Sequence, residues 1–388
     1  MDNNSIILYL IVFLISLCFV YSAELSLKKY DGSKYLKYRI IAICSSIIAV
    51  AIPCALAAMR NCSVGTDVST YVLLNYNVAI NARDFIEFYN SQVIPVEPLF
   101  SLLIFCGAKL NNIGYVFMAI EILIIVPIYL VLCYRRNNVS MTMGMAIFYF
   151  LFYNFSLSGM RQGISMSFLL LSYHYLTKKK YAKALFYSII ASLFHSSVIL
   201  IVLMFGVSYY IYTRSIQKRR ILCSVAIFFL VGLFLFYNKI TVFLAKIVGI
   251  INLRYSYYIL HYGSIYQGHV WSNIPITDLL CKTVLIFIVV FFYIRTNKFK
   301  AKEKYMVSMM LIGRYFVIFN ANFYESLRLA YYFDYLLILF VPYVKKCVKK
   351  NWINQLLINL VIIIPSFLYW YYFIMIIGAY QTNVYMLR

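Results

Sequence analysis

Charge is scarce in this chain of 388 residues: only 12% of them are charged and 64% are hydrophobic, whereas soluble domains carry about 25% charged residues. A soluble fold of this length cannot hide so much apolar surface from water, so lipid must be its solvent. Nine cysteines are scattered along the chain with no Cys-x-x-Cys pair, which argues against a disulfide framework and against a zinc site. Four histidines without a His-x-x-x-His spacing speak against a metal centre as well. No Lys or Arg precedes the first apolar block, residues 5–22. That block therefore lacks the basic flank of a cleaved signal and reads as a retained anchor. No internal repeat, low-complexity tract or soluble module interrupts the pattern, and residues 1–388 read as a single integral membrane domain.

What is abundant is positive charge, with 35 Lys and Arg against 12 acids and a net charge of +23. A nucleic-acid binder would string such charges along one surface. Here 24 of them fall in six short clusters instead, at residues 28–39, 135–136, 178–183, 214–220, 295–304 and 345–350. Each cluster separates two apolar blocks, as cytoplasmic loops do under the positive-inside rule. Topology thus accounts for the charge, and no nucleic-acid partner is expected.

A spanning helix needs about 20 apolar residues to cross a hydrocarbon core of about 30 Å. Clear candidates lie at 5–22, 40–58, 113–134, 139–157, 221–237, 274–294, 305–323, 327–344 and 353–377. Keeping every basic cluster inside forces the rest. The apolar run from Lys183 to Arg214 must cross twice or dip and return, which breaks it into about 184–194 and 197–213 around His195. The run from Arg136 to Lys178 must likewise rise to a turn near residues 156–163 and come back. Residues 98–110 are too few to cross and read as a half-helix entering from the outer face. The expected fold is an all-α polytopic membrane protein of about 11–13 transmembrane helices, including a broken or re-entrant pair, with outer loops at about 59–97 and 238–273.

The polar residues that do not fit lipid rules then gather on the outer side. Arg161, followed by Gln162 at a helix start, offers a planar fork of donors for phosphate oxygens beside a helix amino terminus, or else snorkels to headgroups. Arg328 invites the same two readings, with Glu325 as an i, i+3 partner. Asp67 and Glu97 are either bases for an acceptor hydroxyl or solvated loop carboxylates. His195 is a base or a donor, or is held by backbone at a helix break. Gly65 marks a tight turn, or a helix start capped by Thr66 or Asp67, and Tyr71 lies just beyond it. Arg254 stands in an aromatic-rich segment that fits an interfacial helix or a sugar-contacting surface. Within the spans, Glu121, Arg314 and Asp334 are expected to pair with one another, Asp278 to pair with Lys282 at i, i+4, and His174 to be structural.

At these residues the chain resembles the EpsG family, Wzy-type polymerases of O-antigen, capsule or exopolysaccharide. The resemblance rests on residues 60–71 (RNCSVGTDVSTY), 97–100 (EPLF), 158–172 (SGMRQGISMSFLLLS), 191–197 (ASLFHSS) and 326–333 (SLRLAYYF), in that order. It implies a multi-pass protein of the bacterial inner membrane on a scaffold similar to GT-C glycosyltransferases, with its active site facing the periplasm. Its substrate would be an oligosaccharide repeat unit linked to undecaprenyl pyrophosphate, and the growing glycan would pass to the non-reducing end of a new unit. Arg161, Gln162, Arg254, Arg328 and Tyr71 would then hold pyrophosphate or glycan, and Asp67, Glu97 and His195 would form the catalytic set, with no metal or other cofactor. Membrane lipids and a chain-length regulator complete the expected partners.

Three alternatives stand beside this reading. A flippase for lipid-linked sugars would show repeat symmetry and midplane polar sites. An acyltransferase would show a histidine with a carboxylate on the cytoplasmic face. An O-antigen ligase uses the same donor, and its requirement for a lipid A core acceptor separates it from a polymerase.

Overall fold

A computed structural model describes residues 3–212, 231–232, 274–296, 301–321, 326–348 and 351–388. The described residues are helical almost throughout, so the chain is an all-α polytopic membrane protein. Six helices are long and apolar enough to span: α1 (Asn3–Ser33), α2 (Leu36–Met59), α6 (Ile113–Tyr134), α7 (Met141–Ser158), α11 (Ile276–Arg295) and α15 (Trp352–Ile376). Between them lie α3 (Leu74–Asn81), entered through a π-helical turn at Val68–Leu73, then α4 (Phe85–Asn90) and α5 (Pro98–Lys109). The remaining helices are α8 (Met160–Thr177), α9 (Tyr181–Phe194), α10 (Val198–Tyr212), α12 (Ala301–Phe319), α13 (Ser326–Asp334) and α14 (Leu337–Val344).

The expected break at His195 is present: α9 ends at Phe194 and α10 begins at Val198. Residues 327–344, expected as one span, form two short helices broken at Tyr335 and Leu336, which together are long and apolar enough for one bent span. The apolar part of 305–323 is shorter than a full span, at Met306–Phe319. Residues 59–97, expected as an outer loop, carry helices α3 and α4. The acids there are partly helix caps: Asp84 accepts from the Glu87 amide at 2.9 Å while Glu87 accepts from the Arg83 amide at 2.7 Å, a reciprocal capping pattern. The span expected at 221–237, apart from residues 231–232, and the loop at 238–273 lie outside the described residues.

The chain packs as two compact units, one formed by Met1–Ile199, Val284–Lys298 and Tyr335–Arg388, the other by Leu200–Thr283 and Phe299–Asp334. In the first, Pro53 inside α2 cannot donate to the carbonyl of Ala49 one turn earlier. Ser16 of α1 supplies the missing donor at 2.7 Å, satisfying a backbone group that lipid would leave bare. Tyr153 of α7 donates to the Pro53 carbonyl at 2.7 Å. Around this kink Phe13 stacks on Tyr149 at 5.0 Å, and Tyr9 meets Trp370 edge-on at 6.4 Å, giving a core of aromatic rings rather than aliphatic side chains.

The two ends of this unit differ in charge. At one end Arg136 pairs with Asp31 at 3.0 Å, Lys346 donates to Asn138 at 2.9 Å, and Arg135 donates to Thr177 at 2.7 Å. The basic turns after α1, α6, α8 and α14 therefore cluster, as their shared sidedness requires. His174, buried beside them, accepts from Arg135 at 3.3 Å, the structural role expected for it. Helix α7 starts at this end and finishes about 27 Å away, where Ser158 meets Thr66.

Sequence patterning gave no hint of the carboxy-terminal segment. After α15 the chain threads back into the unit: Gly65 donates to the Gln381 carbonyl at 3.0 Å, Asn61 to Met386 at 2.7 Å, and Arg388 to Met59 at 2.8 Å. It braces the loop that carries Thr66 and Asp67.

In the second unit Asp278, Lys282, Arg314 and Asp334 are buried together. Lys282 pairs with Asp278 and reaches Asp334 at 3.4 Å, while Arg314 pairs with Asp334 and reaches Asp278 at 3.4 Å. The expected pairs Arg314–Asp334 and Asp278–Lys282 thus merge into one neutral network. Glu121 does not join it. It sits in α6 of the first unit and accepts from Ser156 at 2.9 Å, because facing positions rather than span membership decide which charges meet.

Candidate functional site

Three breaks in helical structure carry the site. The first is the loop before α5, where Pro98 at the first helical position fixes the start of the helix and leaves Glu97 as its cap residue. The second is Gly159, the hinge between α7 and α8, two residues before Arg161. The third is the interruption after Phe194, where His195 adopts extended backbone.

Glu97 joins the other two. Its Oε2 accepts from Arg161 Nη1 at 2.8 Å, and its Oε1 accepts from His195 Nδ1 at 3.1 Å. The Ser196 amide donates to the same Oε1 at 3.1 Å, and the Ser196 hydroxyl at 3.4 Å. The side chains of Glu97, Arg161 and His195 are 14%, 12% and 18% exposed, so the cluster is sheltered yet reachable. Tyr71 lies against the guanidinium with its ring centre 4.1 Å away, a cation–π contact that fixes the plane of Arg161.

Burial pushes the Glu97 carboxyl up, but the His195 hydrogen bond and then the Arg161 charge outweigh it and hold it down to about 2. A carboxylate that ionises so easily, with both oxygens engaged, is a weak proton acceptor. An ionised carboxylate can only accept, so Nδ1 of His195 must carry the hydrogen of this bond. In the neutral ring the lone pair then lies on Nε2. The arrangement orients an imidazole base by a carboxylate and sets a guanidinium beside it.

Beside the cluster, Gly65 has φ +101° and a side chain there would meet the Leu157 carbonyl at 2.5 Å, so the expected tight turn is real and needs glycine. Neither Thr66 nor Asp67 caps the helix that follows. The Thr66 hydroxyl bonds Ser158 instead, tying the loop to the end of α7. Asp67 is half-buried at the start of the π-helical turn, one turn from Tyr71.

Gln162 is buried in the bundle next to Arg161. Arg328 is exposed in the first turn of α13, in the second unit, and Arg254 and Glu325 lie outside the described residues. Among the described residues no three His, Cys, Asp or Glu side chains converge to hold a metal ion.

Two contributors were not singled out from the sequence. Ser196, next to His195, completes the cradle for Glu97. Arg60, 1% exposed, donates to the Leu157 carbonyl at 2.6 Å and lies 4.3 Å over the Phe117 ring, which locks the turn after α7 to the start of the 60–71 loop. Arg60 ends a spanning helix, and in a sequence such an arginine looks like a headgroup anchor.

In this helical membrane bundle the charged, part-sheltered side chains of the candidate site sit at helix breaks, away from the basic end. The chain belongs to the EpsG family, which it matches over residues 40–387. The family is one of Wzy-like polymerases, which makes the chain a polymerase-type glycosyltransferase of polysaccharide synthesis. No curated protein and no solved structure matches it.

Proposed function

We propose that the protein joins oligosaccharide repeat units carried on undecaprenyl pyrophosphate, at the periplasmic face of the bacterial inner membrane, by transferring the growing glycan to the non-reducing end of a new unit. The observation that carries this is Glu97 bridging Arg161 and His195. The acceptor hydroxyl gives its proton to Nε2 of His195 as its oxygen bonds the anomeric carbon of the growing chain. The bond from that carbon to the lipid pyrophosphate breaks, and the pyrophosphate leaves with the electron pair. Arg161 holds the leaving group: Glu97 takes one of the five N–H donors of the guanidinium, and phosphate oxygens take the others in the bidentate manner that suits this fork. Glu97, expected from the sequence as a base, positions both partners, while Asp67 and Tyr71 line the approach. Arg254 and Arg328 remain candidates for further glycan or pyrophosphate contacts, and a chain-length regulator remains a candidate partner.

The positive-inside pattern of the basic clusters supports an outward orientation of this end. O-antigen, capsule and exopolysaccharide repeats are all substrates of the proposed type. The test is the product pattern in cells that depend on this protein. Arg161→Ala at normal protein level is expected to leave single repeat units on the carrier or core, exposed on the outer side. Long polymer from that variant would sink the assignment of Arg161. Complete absence of exposed units would point to a flippase instead.

A further inference from the structure

At the basic end of the first unit a crevice of about 910 Å³ opens between α1, α7, α14 and α15. It lies within the range of ligand-sized pockets and belongs to no part of the Glu97 site. On α1 its wall is one stripe, Leu17, Tyr21, Glu24 and Lys28, spaced i, i+4, i+7 and i+11, which runs about 16 Å along the helix axis. On α15 the facing stripe is Gln355, Asn359 and Ile363, again one helix face.

Polarity changes in step along these walls. The mouth holds Lys28, Arg136, Lys345 and Lys346, and the deep end holds Leu17, Met143, Ala146 and Ile363. At middle depth Glu24 is buried and fully used: it accepts from Lys28 at 2.8 Å, Ser140 at 3.2 Å and the amide and hydroxyl of Thr142 at 3.0 and 2.9 Å. Arg136 is bound by Asp31 through two hydrogen bonds, at 3.1 and 3.0 Å. Glu24 and Asp31 offset two of the four cations, so the mouth keeps two positive charges in excess. Asn359 Oδ1 is shielded from solvent and has no hydrogen-bond partner, and the amide that carries it can turn over to offer its N–H groups to an ester carbonyl at this depth.

A cationic rim, an amide belt and an apolar slot parallel to the helices copy the head, glycerol and tail of a phospholipid. We propose that this crevice binds one anionic phospholipid, its phosphate at Lys345 and Lys346 and one acyl chain between α1 and α15. Basic pockets between membrane helices recognise acidic headgroups in this way. The inference stands independently of the polymerase assignment.

The full-length protein, purified in detergent, is titrated with dioleoylphosphatidylglycerol, and bound lipid is counted by native mass spectrometry. One tightly held lipid per chain is expected, and its addition should raise the melting temperature. The Lys345→Ser/Lys346→Ser pair should weaken binding about 30-fold. Ile363→Trp should weaken it through the tail slot with the rim charges intact. Lys178→Ser/Lys179→Ser, at the same end but outside the crevice, should leave it unchanged. Equal retention of dioleoylphosphatidylcholine, or unchanged affinity in both crevice variants, would overturn the proposal. Displacement of the lipid by sn-glycerol 3-phosphate at matching concentration would overturn it too, since it would mark a free-phosphate site.

Discussion

Two ionic clusters share this chain and solve opposite problems. Asp278, Lys282, Arg314 and Asp334 are sealed, with side chains 0 to 7% exposed, and two acids match two bases. The Glu97 cluster is smaller, stands at helix breaks rather than inside helices, and keeps 12 to 18% of its side chains open. The sealed set adds the Tyr331 ring 4.5 Å from Lys282 and leaves no acid or base to offer outward. The open set orients an imidazole and a guanidinium and leaves donors and a lone pair for a ligand. In a membrane protein an ionisable group within the helices signals function or pairing; here exposure and unspent hydrogen-bonding capacity tell the two apart.

The largest expected effect is on the sealed side. Asp334→Ala leaves Arg314 and Lys282 short of one carboxylate and should lower stability by about 3–5 kcal/mol, seen as loss of folded protein in detergent. Replacing all four residues together by Leu or Met should recover most of that loss, because the network is neutral as a whole. If the fourfold variant stays unfolded while each single one folds, the network is more than a staple and the contrast fails.

On the open side, Arg161→Ala and His195→Gln should each cut polymerisation about 10²–10³-fold while the protein still folds in detergent. Arg161→Ala should also raise the KM for the lipid-linked donor, whereas His195→Gln should act mainly on kcat. Gln at 195 can still donate to Glu97, so a variant that keeps full rate would remove the imidazole from the chemistry.

Tyr71→Leu should cost less, about 2- to 30-fold in kcat/KM, the worth of one cation–π contact of about 0.5–2 kcal/mol. The smallest effect is in acid. Glu97 ionises at about 2 in the fold, below the usual carboxylate value of about 4.3. A depressed carboxyl contributes stability that is complete above its unfolded value and fades as pH falls toward its folded one. The stability gap between wild type and Glu97→Gln, followed by thermal melts, should therefore be constant from pH 7 to 5 and shrink between about 4.5 and 2. A gap that closes by pH 6 would mean the carboxylate is not held by its partners.

Much of this was legible in the chain. Apolar length and basic clusters gave the helices and a shared end for the turns after α1, α6, α8 and α14, and parity around Lys183 and Arg214 exposed the break at His195. The same reasoning put Glu97, Arg161 and His195 on one side, but it could not bond them, since contact depends on how α5, α8 and α9 pack. It could not tell base from positioner either: Glu97 is a weak base only because its partners occupy it. Glu121 was misassigned because hydropathy shows depth and not direction. The carboxy-terminal brace escaped notice because backbone hydrogen bonds to Gly65, Asn61 and Met59 leave no mark in side-chain patterning.

Elongation by the purified protein in lipid nanodiscs, given an excess of lipid-linked repeat units alone, tests the Glu97 site most directly. Wild type should build long chains, while Arg161→Ala and His195→Gln, folded and binding lipid normally, should leave the units unjoined. Elongation at the wild-type rate by both variants would contradict the assignment of the active site.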